Sequence, residues 1–263
     1  MKKKTRWPIY LIISLVMTFL AFTVPLPYYI EVPGTSEDIR RILQVNEKID
    51  SEPGSYQFVT VGVQKARLAH LIYAWLTPFT DIHSAKEMTG GSSDAEFMRI
   101  NQFYMETSQN MAKYQGLKAA GKEIELKYLG VYVLTVTDNS TFKGILNIAD
   151  TVTAVNDKTF ESSKEMVDYV NSQTLGDKVK VTYQEDGKVK TAEGKIITLE
   201  NGKNGIGIGL IDRTEVSSDV PIKFSTAGIG GPSAGMMFSL SIYTQIADPT
   251  LRNGRIIAGT GSI

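Results

Sequence analysis

Apolar residues dominate the start of the chain in one long run. The run spans residues 9–24 and follows a basic cluster made of Lys2, Lys3, Lys4 and Arg6. Extended through residue 29, it approaches the roughly 20 residues that a membrane-spanning helix needs. Basic residues in front of such a helix, with none soon after it, place the N-terminus in the cytoplasm. The pattern therefore predicts a cytoplasmic tip and transmembrane anchor at residues 1–29, in the cell membrane, with the bulk of the chain extracellular. A cleaved signal peptide, which has the same charge pattern and a shorter apolar core, is the alternative.

Residues 30–122 combine strand and helix patterns. Short stretches at residues 28–32 and 56–63 each adjoin a Pro-Gly turn signal and are predicted strands. Residues 67–76 and 94–120 repeat apolar positions at helical spacing and are predicted helices. We interpret residues 30–122 as a mixed α/β extracytoplasmic segment, which either stands alone or belongs with the last domain of the chain.

Strand-like alternation dominates residues 123–200. Strands are predicted at residues 128–136, 148–155, 178–184 and 189–197, the last two forming a hairpin. The segment Ser162–Gln173 is a predicted helix, because hydroxyl caps precede apolar residues at helical spacing. This order of elements resembles the PDZ domain of bacterial secreted proteases. The resemblance rests on the opening strand Tyr128–Val131 and on the block Leu146–Asn156, in which Ala149 replaces the usual glycine.

The PDZ resemblance implies a peptide-binding groove between the opening strand and the Ser162–Gln173 helix. An extended peptide would add there as a further strand through backbone hydrogen bonds, with N–H groups near Leu129 and Gly130 available to a carboxylate. The expected lining residues are Tyr128, Leu129, Gly130, Val131, Met166 and Val170. A PDZ-like fold that serves only packing is the alternative.

Composition narrows the chemistry of the chain. The 28 basic and 28 acidic residues balance, so nucleic acid is not an expected partner. The absence of cysteine excludes disulfides, thiol nucleophiles and cysteine-ligated metals. His70 and His83 have no partner at metal-ligand spacing, so no metal site is predicted. Residues 116–122 nearly match a phosphate-binding loop, but Glu123 stands where a hydroxyl would bind magnesium. Neither ATP nor any other cofactor is therefore predicted.

A glycine-rich turn carries the candidate nucleophile, Ser233. Apolar residues follow it at helical spacing as far as Ile246. Ser233 is therefore expected at a helix N-terminus, where free N–H groups and the helix dipole stabilise an oxyanion. A serine that only caps the helix fits the same pattern. The turn also fits the G-x-S-x-G motif of α/β-hydrolases, which requires a downstream histidine, and no histidine follows His83.

The segments Ile229–Phe238 and Ile257–Ile263 resemble the proteolytic domain of Lon-like peptidases, in particular the membrane-anchored, ATP-independent branch that carries a PDZ domain. The resemblance covers about residues 205–263, so residues 201–263 are predicted to be the N-terminal part of such a domain. It implies a Ser-Lys dyad, with Ser233 as nucleophile and a lysine of lowered pKa as base. The implied lining residues are Gly231, Pro232, Ala234, Gly235 and Thr260. The last lysine of the chain precedes the motif, so the base is expected beyond Ile263.

The predicted fold class is α+β, with an N-terminal transmembrane helix, a PDZ-like β-rich domain at residues 123–200 and an incomplete Lon-type α/β proteolytic domain. The predicted function is a membrane-anchored serine endopeptidase that cleaves peptides or proteins recruited through the PDZ domain. A secreted signalling peptide would be one such substrate. Because the chain lacks the catalytic lysine, residues 1–263 are predicted to be inactive alone. The alternative is a membrane-tethered protein that binds peptides without cleaving them.

Overall fold

The computed structural model describes residues 7–263. The helices are α1 (Trp7–Thr23), α2 (Leu68–Leu76), α3 (Ala85–Thr89), α4 (Asp94–Ala119), α5 (Ser163–Asn171) and α6 (Gly235–Ile246), with a 3-10 turn at Ile39–Arg41. The strands are β1 (Pro25–Asp38), β2 (Leu43–Val45), β3 (Ser55–Arg67), β4 (Asp81–Ser84), β5 (Glu125–Val136), β6 (Thr151–Val155), β7 (Lys178–Glu185), β8 (Lys188–Lys195), β9 (Ile197–Thr198), β10 (Asn204–Gly205), β11 (Ile208–Ser217), β12 (Ile222–Phe224) and β13 (Ile256–Gly259). The predicted helices at residues 67–76, 94–120 and 162–173 are confirmed as α2, α4 and α5.

The predicted transmembrane helix is wrong, and the fold is a mixed α/β arrangement without it. α1 ends at Thr23 and the chain continues as β1 from Pro25, because a residue that precedes proline disfavours the helical conformation. Across residues 7–263, no helix combines the length and the apolar character that crossing a membrane requires. The basic cluster at residues 2–6 lies outside the described residues, and the extracellular location stays a prediction.

The chain forms two compact units, and the first contains the chain up to Ser36 together with Val59–Ser93. In this unit β4 pairs antiparallel with β1, from Tyr28 opposite Ser84 to Glu31 opposite Asp81. Helix α1 contacts α2. This unit holds none of the residues that were predicted to bind peptide or to catalyse hydrolysis.

The second unit contains Glu37–Phe58 and Asp94–Ile263, and its main element is a five-stranded sheet. The strand order is β11-β5-β6-β7-β8, and all pairs are antiparallel. Helix α5 packs on one face through Met166 and Val170, which share an apolar core with Val131. On the other face Phe103 of α4 stacks on Tyr132 of β5, with ring centroids 4.0 Å apart. Both faces of β5 are therefore covered, which is why Val131–Leu134 is an unbroken buried run.

A further core of the second unit lies where α4 packs along α6. A glycine is needed there, because a Cβ atom at Gly116 would lie 2.9 Å from Cβ of Ile242. Helix α6 also contacts β13, which runs parallel to the first residues of β3 with Ile256 opposite Ser55. Ser233 lies in the turn before α6, which begins at Gly235 with Ala234 as its N-cap.

Candidate functional site

The expected strand edge at β5 is occupied on both sides. β11 pairs with β5 along its whole length, and β6 pairs with it at Val131 and Tyr132. A strand therefore cannot add to β5 on the β11 side, and Val131 is paired on both sides, while the peptide groove at residues 128–130 stays a prediction. The edge strands of this sheet, within the described chain, are β11 and β8.

Five of the six residues expected to line the groove have structural contacts within the domain. Val131, Met166 and Val170 are buried in the core that β5 shares with α5. Gly130 has a φ of +130°, and a Cβ atom there would lie 2.2 Å from the Val152 carbonyl oxygen, so this glycine permits the close pairing of β5 with β6. Leu129 has no partner on β11, because a register shift leaves it between the pairs formed by Tyr128 and Gly130.

Ile208, at the start of β11, directs its backbone polar groups away from β5. It lies opposite Val136, and the N–H of Thr137 donates to the carbonyl of Gly207 at 2.9 Å. In an antiparallel ladder, a hydrogen bond between the neighbours Thr137 and Gly207 means that Ile208 and Val136 form a pair without hydrogen bonds to each other. The N–H and C=O of Ile208 are therefore available on the outer edge.

Leu210 repeats this arrangement two residues further on. Its partner on β5 is Val133. Val133 uses both of its backbone groups on its other side, since its N–H donates to Asp150 at 2.8 Å and its carbonyl accepts from Ala149 at 3.0 Å. Leu210 therefore also turns its N–H and C=O outward, and Ile208–Ile211 presents a short free edge to a further strand.

The loop before β11 presents two consecutive N–H groups on one side. The carbonyl of Ile206 accepts from the Ser140 hydroxyl at 2.6 Å, and the carbonyl of Gly207 accepts from Thr137. Because C=O and N–H of one planar peptide group point in opposite directions, the N–H groups of Gly207 and Ile208 point away from the Thr137–Ser140 turn. Gly207 has a φ of +73° and is buried, whereas Ile208 is partly exposed. Consecutive N–H groups at a positive-φ residue are the backbone arrangement found in anion-binding nests.

Helix α5 lies beside this end of β11. It contacts β10, which directly precedes the loop, and the side-chain amide of Asn204 donates to the Gln173 carbonyl at 2.8 Å. Ile208 and Leu210 pack against the core beneath α5, so their side chains face the same side as the helix. The arrangement combines a free strand edge at Ile208–Ile211 with apolar side chains on the α5 side and two consecutive N–H groups at one end. We call this surface the groove.

The other end of the groove is polar. Thr214 lies opposite Tyr128, and Asp212 lies opposite the core residue Val131, so all three side chains share the α5 face. The Tyr128 hydroxyl, Asp212 Oδ1 and Thr214 Oγ1 are buried and have no hydrogen-bond partner within residues 7–263. Burial raises the pKa of Tyr128, and the nearby carboxylates of Asp212 and Glu165 raise it further. These three polar atoms are enclosed by the protein and do not offer an exposed contact to a ligand.

Helix α4 closes the outer edge of β11 beyond the free stretch. The hydroxyl of Thr107 donates to the Asp212 carbonyl at 3.1 Å, and the side-chain amide of Asn110 donates to the Thr214 carbonyl at 2.8 Å. Those two carbonyls are thus engaged before any ligand binds. At the opposite edge of the sheet, β8 carries Lys188, Lys190 and Lys195, and edge lysines oppose strand addition.

Ser233 lies in an exposed turn directly before α6. Its carbonyl accepts from the N–H of Gly261 at 2.7 Å and from the Thr260 hydroxyl at 3.3 Å, so the two segments of the predicted site are adjacent. The N–H of Gly231 donates to the Asn101 carbonyl at 2.9 Å and is not available to an oxyanion.

No described residue makes a hydrogen bond with the Ser233 side chain. Ser108 of α4 donates to the carbonyl of Pro232 at 2.9 Å, and its Oγ lies where a Cβ on Gly235 would come within 2.6 Å. Ala234 is buried in the α4–α6 core. Burial lowers the pKa of Lys113 on α4, but its Nζ lies 5.7 Å from the Phe224 ring centre and does not bond to Ser233. The structure thus supplies an accessible hydroxyl at a helix N-terminus without a base among residues 7–263.

No group of three or more histidine, aspartate and glutamate side chains in residues 7–263 is arranged to hold a metal ion. His70 accepts from the Arg67 N–H at 3.2 Å, and His83 lies 3.8 Å from Glu31. Both histidines thus have local structural contacts.

Sequence reasoning missed the loop and edge at residues 204–211. The signal was the alternation Gly205-Ile-Gly-Ile-Gly209, in which glycines that permit unusual backbone conformations alternate with apolar side chains. Because this stretch follows the predicted hairpin, it was assigned to the last domain. Its pairing with β5 became visible only in the fold.

Residues 102–196 match the family described as PDZ domain. The matched segment begins within α4 and ends directly before β9, so β11 and Ser233 follow it. A comparison with curated proteins found no match.

Two solved structures are similar to this part of the chain. The PDZ domain of the SdrC-like protein from Listeria monocytogenes is 35% identical, over 33% of this chain and 93% of that chain, with a TM-score of 0.32. The PDZ domain of the SdrC-like protein from Listeria innocua is 38% identical, over 31% of this chain and 92% of that chain, with a TM-score of 0.30.

Proposed function

We propose that the PDZ domain at residues 102–196, whose sheet is extended at its edge by β11, binds the end of a peptide chain by strand addition at Ile208–Ile211. PDZ domains bind extended peptides at an exposed sheet edge through backbone hydrogen bonds, with pockets for alternate side chains. The observation that carries the proposal is the outward orientation of the backbone groups of Ile208 and Leu210.

The bound end is the carboxyl terminus. We place the ligand carboxylate at the N–H groups of Gly207 and Ile208. A ligand strand whose C-terminus lies there and which runs antiparallel to β11 has its last residue opposite Ile208. Ile208 and Leu210 favour apolar side chains at the last and third-from-last positions.

The test is a selection of random heptapeptides with free carboxyl termini against the full chain. Fluorescence polarisation then compares each selected peptide with its C-terminal amide. We expect the amide to bind at least about tenfold more weakly, because charge-assisted hydrogen bonds to the nest are lost. Equal binding of acid and amide, or selection of no peptide at all, would contradict the proposal.

A variant of the loop provides the matching protein control. A Cβ atom at Gly207 would lie 2.5 Å from the Thr137 hydroxyl oxygen, and φ there is +73°, so Gly207→Ala should distort the nest. Gly202 has a φ of +77° and no atom within 4 Å of a Cβ, so Gly202→Ala imposes similar backbone strain at a site outside the groove. Only Gly207→Ala should weaken the binding of the free-acid peptides.

A second candidate function is serine endopeptidase activity at Ser233, because this hydroxyl is exposed, unpaired and placed at the start of a 12-residue helix. The proposed mechanism is a Ser-Lys dyad in which Ser233 is the nucleophile. We expect turnover of a quenched casein substrate only by a chain extended past Ile263, and only while Ser233 is present. If residues 1–263 alone cleave the substrate and Ser233→Ala abolishes this cleavage, the prediction that residues 1–263 are inactive is wrong. A stop codon after Ile263, or an inactive extended chain, would reject the peptidase function.

A further inference from the structure

Helix α4 places two side chains on the strand edge that the proposed ligand would use. Thr107 and Asn110 lie almost one turn apart on α4 and donate to the carbonyls of Asp212 and Thr214, at 3.1 and 2.8 Å. Both acceptors belong to β11 and follow the free stretch Ile208–Ile211. The side chains of α4 therefore occupy hydrogen-bonding positions that an added strand would otherwise take.

The register of β11 shows how these two contacts limit the number of ligand residues that can pair with the strand. An antiparallel ligand with its last residue opposite Ile208 has its third-from-last residue opposite Leu210 and its fifth-from-last residue opposite Asp212. Pairing is free at the first two of these positions, and at the third it requires the carbonyl that Thr107 already holds. A longer ligand would have to displace Thr107 and then Asn110.

We propose that Thr107 and Asn110 are specificity-determining residues, which restrict strand addition to the last four residues of a ligand. This inference rests on the proposed peptide-binding function and adds the class of ligand, which is a short C-terminal segment. Ligand residues before the last four would make no backbone hydrogen bonds with β11. An internal segment of a protein, which needs a long free edge to bind without a carboxylate, is excluded by the same two side chains.

The physical basis is the asymmetry between formed and displaced hydrogen bonds. A ligand residue that pairs with a free backbone group gains a net hydrogen bond, whereas one that displaces Thr107 exchanges one bond for another and leaves the hydroxyl to find a new acceptor. The gain in affinity should therefore stop at the residue before Asp212. Removal of the two donors should restore a gain of about fivefold for each newly paired residue.

The experiment measures affinity against ligand length. A selected peptide is prepared as its last three, four, five and seven residues, each with an acetylated N-terminus and a free carboxylate. Binding to the full chain is measured by calorimetry for the wild type, for Thr107→Ala/Asn110→Ala, and for Thr107→Ser, which keeps a hydroxyl donor. We expect a plateau at four residues in the wild type and in Thr107→Ser. In the double variant, the seven-residue peptide should bind at least about tenfold more tightly than the four-residue peptide.

The possible failures are distinguishable. If no free-acid peptide binds the wild type, the proposed function fails. If peptides bind but wild-type affinity rises steadily from four to seven residues, or if the double variant keeps the plateau, peptide binding stands and the role of Thr107 and Asn110 is refuted. Circular dichroism spectra that match the wild type establish that the double variant is folded.

Discussion

A proline scan of β11 offers a direct test of which backbone groups point outward. Proline removes an N–H and is tolerated in a strand only where that N–H does not belong to the ladder. Leu210 directs its N–H to the open edge, and by the alternation of an antiparallel pair Ile211 directs its N–H to Tyr132 of β5. Leu210→Pro should therefore remove a ligand contact and keep the sheet, whereas Ile211→Pro should damage the sheet itself.

The two effects differ in kind and in size. Leu210→Pro deletes one hydrogen bond to the ligand and leaves a ligand carbonyl unpaired, which costs about 1–3 kcal/mol, or roughly 5- to 150-fold in affinity. Ile211→Pro breaks a bond within the sheet, leaves the Tyr132 carbonyl unpaired and forces the ring against β5, at a cost of about 2–4 kcal/mol in the free energy of unfolding. Leu210→Ala controls for the loss of the leucine side chain, because it shortens that side chain and keeps the N–H.

Peptide binding is followed by fluorescence polarisation and stability by urea unfolding monitored by circular dichroism. We expect Leu210→Pro to unfold near the midpoint of Leu210→Ala but to bind far more weakly, and Ile211→Pro to shift the unfolding midpoint downward. If Leu210→Pro unfolds as readily as Ile211→Pro, or binds peptide as well as Leu210→Ala, the outward assignment of Leu210 is incorrect.

Three further predictions, which use five substitutions, test other parts of the second unit. Arg252 is 1% exposed and pairs with Asp50, so Arg252→Met should cost about 3–5 kcal/mol of unfolding free energy in chemical denaturation by leaving a buried carboxylate uncompensated. Adding Asp50→Asn should recover part of that loss, and strictly additive costs would contradict a coupled pair. Gly130→Ala should destabilise by about 2–5 kcal/mol, from backbone strain and a clash, whereas Gly176→Ala, with φ +88° and open space, should show the strain alone. Ser233→Ala should leave peptide affinity in fluorescence polarisation within about twofold, and a larger loss would place Ser233 in the peptide site.

Local patterns were sufficient to predict several elements of the second unit. The helical spacing of apolar residues in Ser162–Gln173 predicted α5, and the alternation on either side of residues 185–187 predicted the hairpin of β7 and β8. The apolar run at residues 9–24 also predicted a helix, and α1 is that helix. Its length was overestimated, because the Pro25–Tyr29 segment was counted with the run although proline favours the strand that follows it.

The position of the groove could not be read from local pattern, because an edge is a property of the sheet and not of one strand. Tyr128–Val136 has the composition of a strand, and the resemblance placed a ligand beside it. Its partner β11 lies roughly 70 residues further along the chain, and nothing in either segment alone specifies that pairing.

One local signal did oppose an edge at β5: Val131–Leu134 is apolar without alternation, as expected for a strand that is covered on both faces. By the same reasoning, β11 was the better candidate for an edge, since Ile208–Ile211 carries no charged side chain and the charged residues of the strand begin only at Asp212. An uncharged apolar stretch on an open edge is a hazard for aggregation, and we therefore propose that a ligand covers Ile208–Ile211.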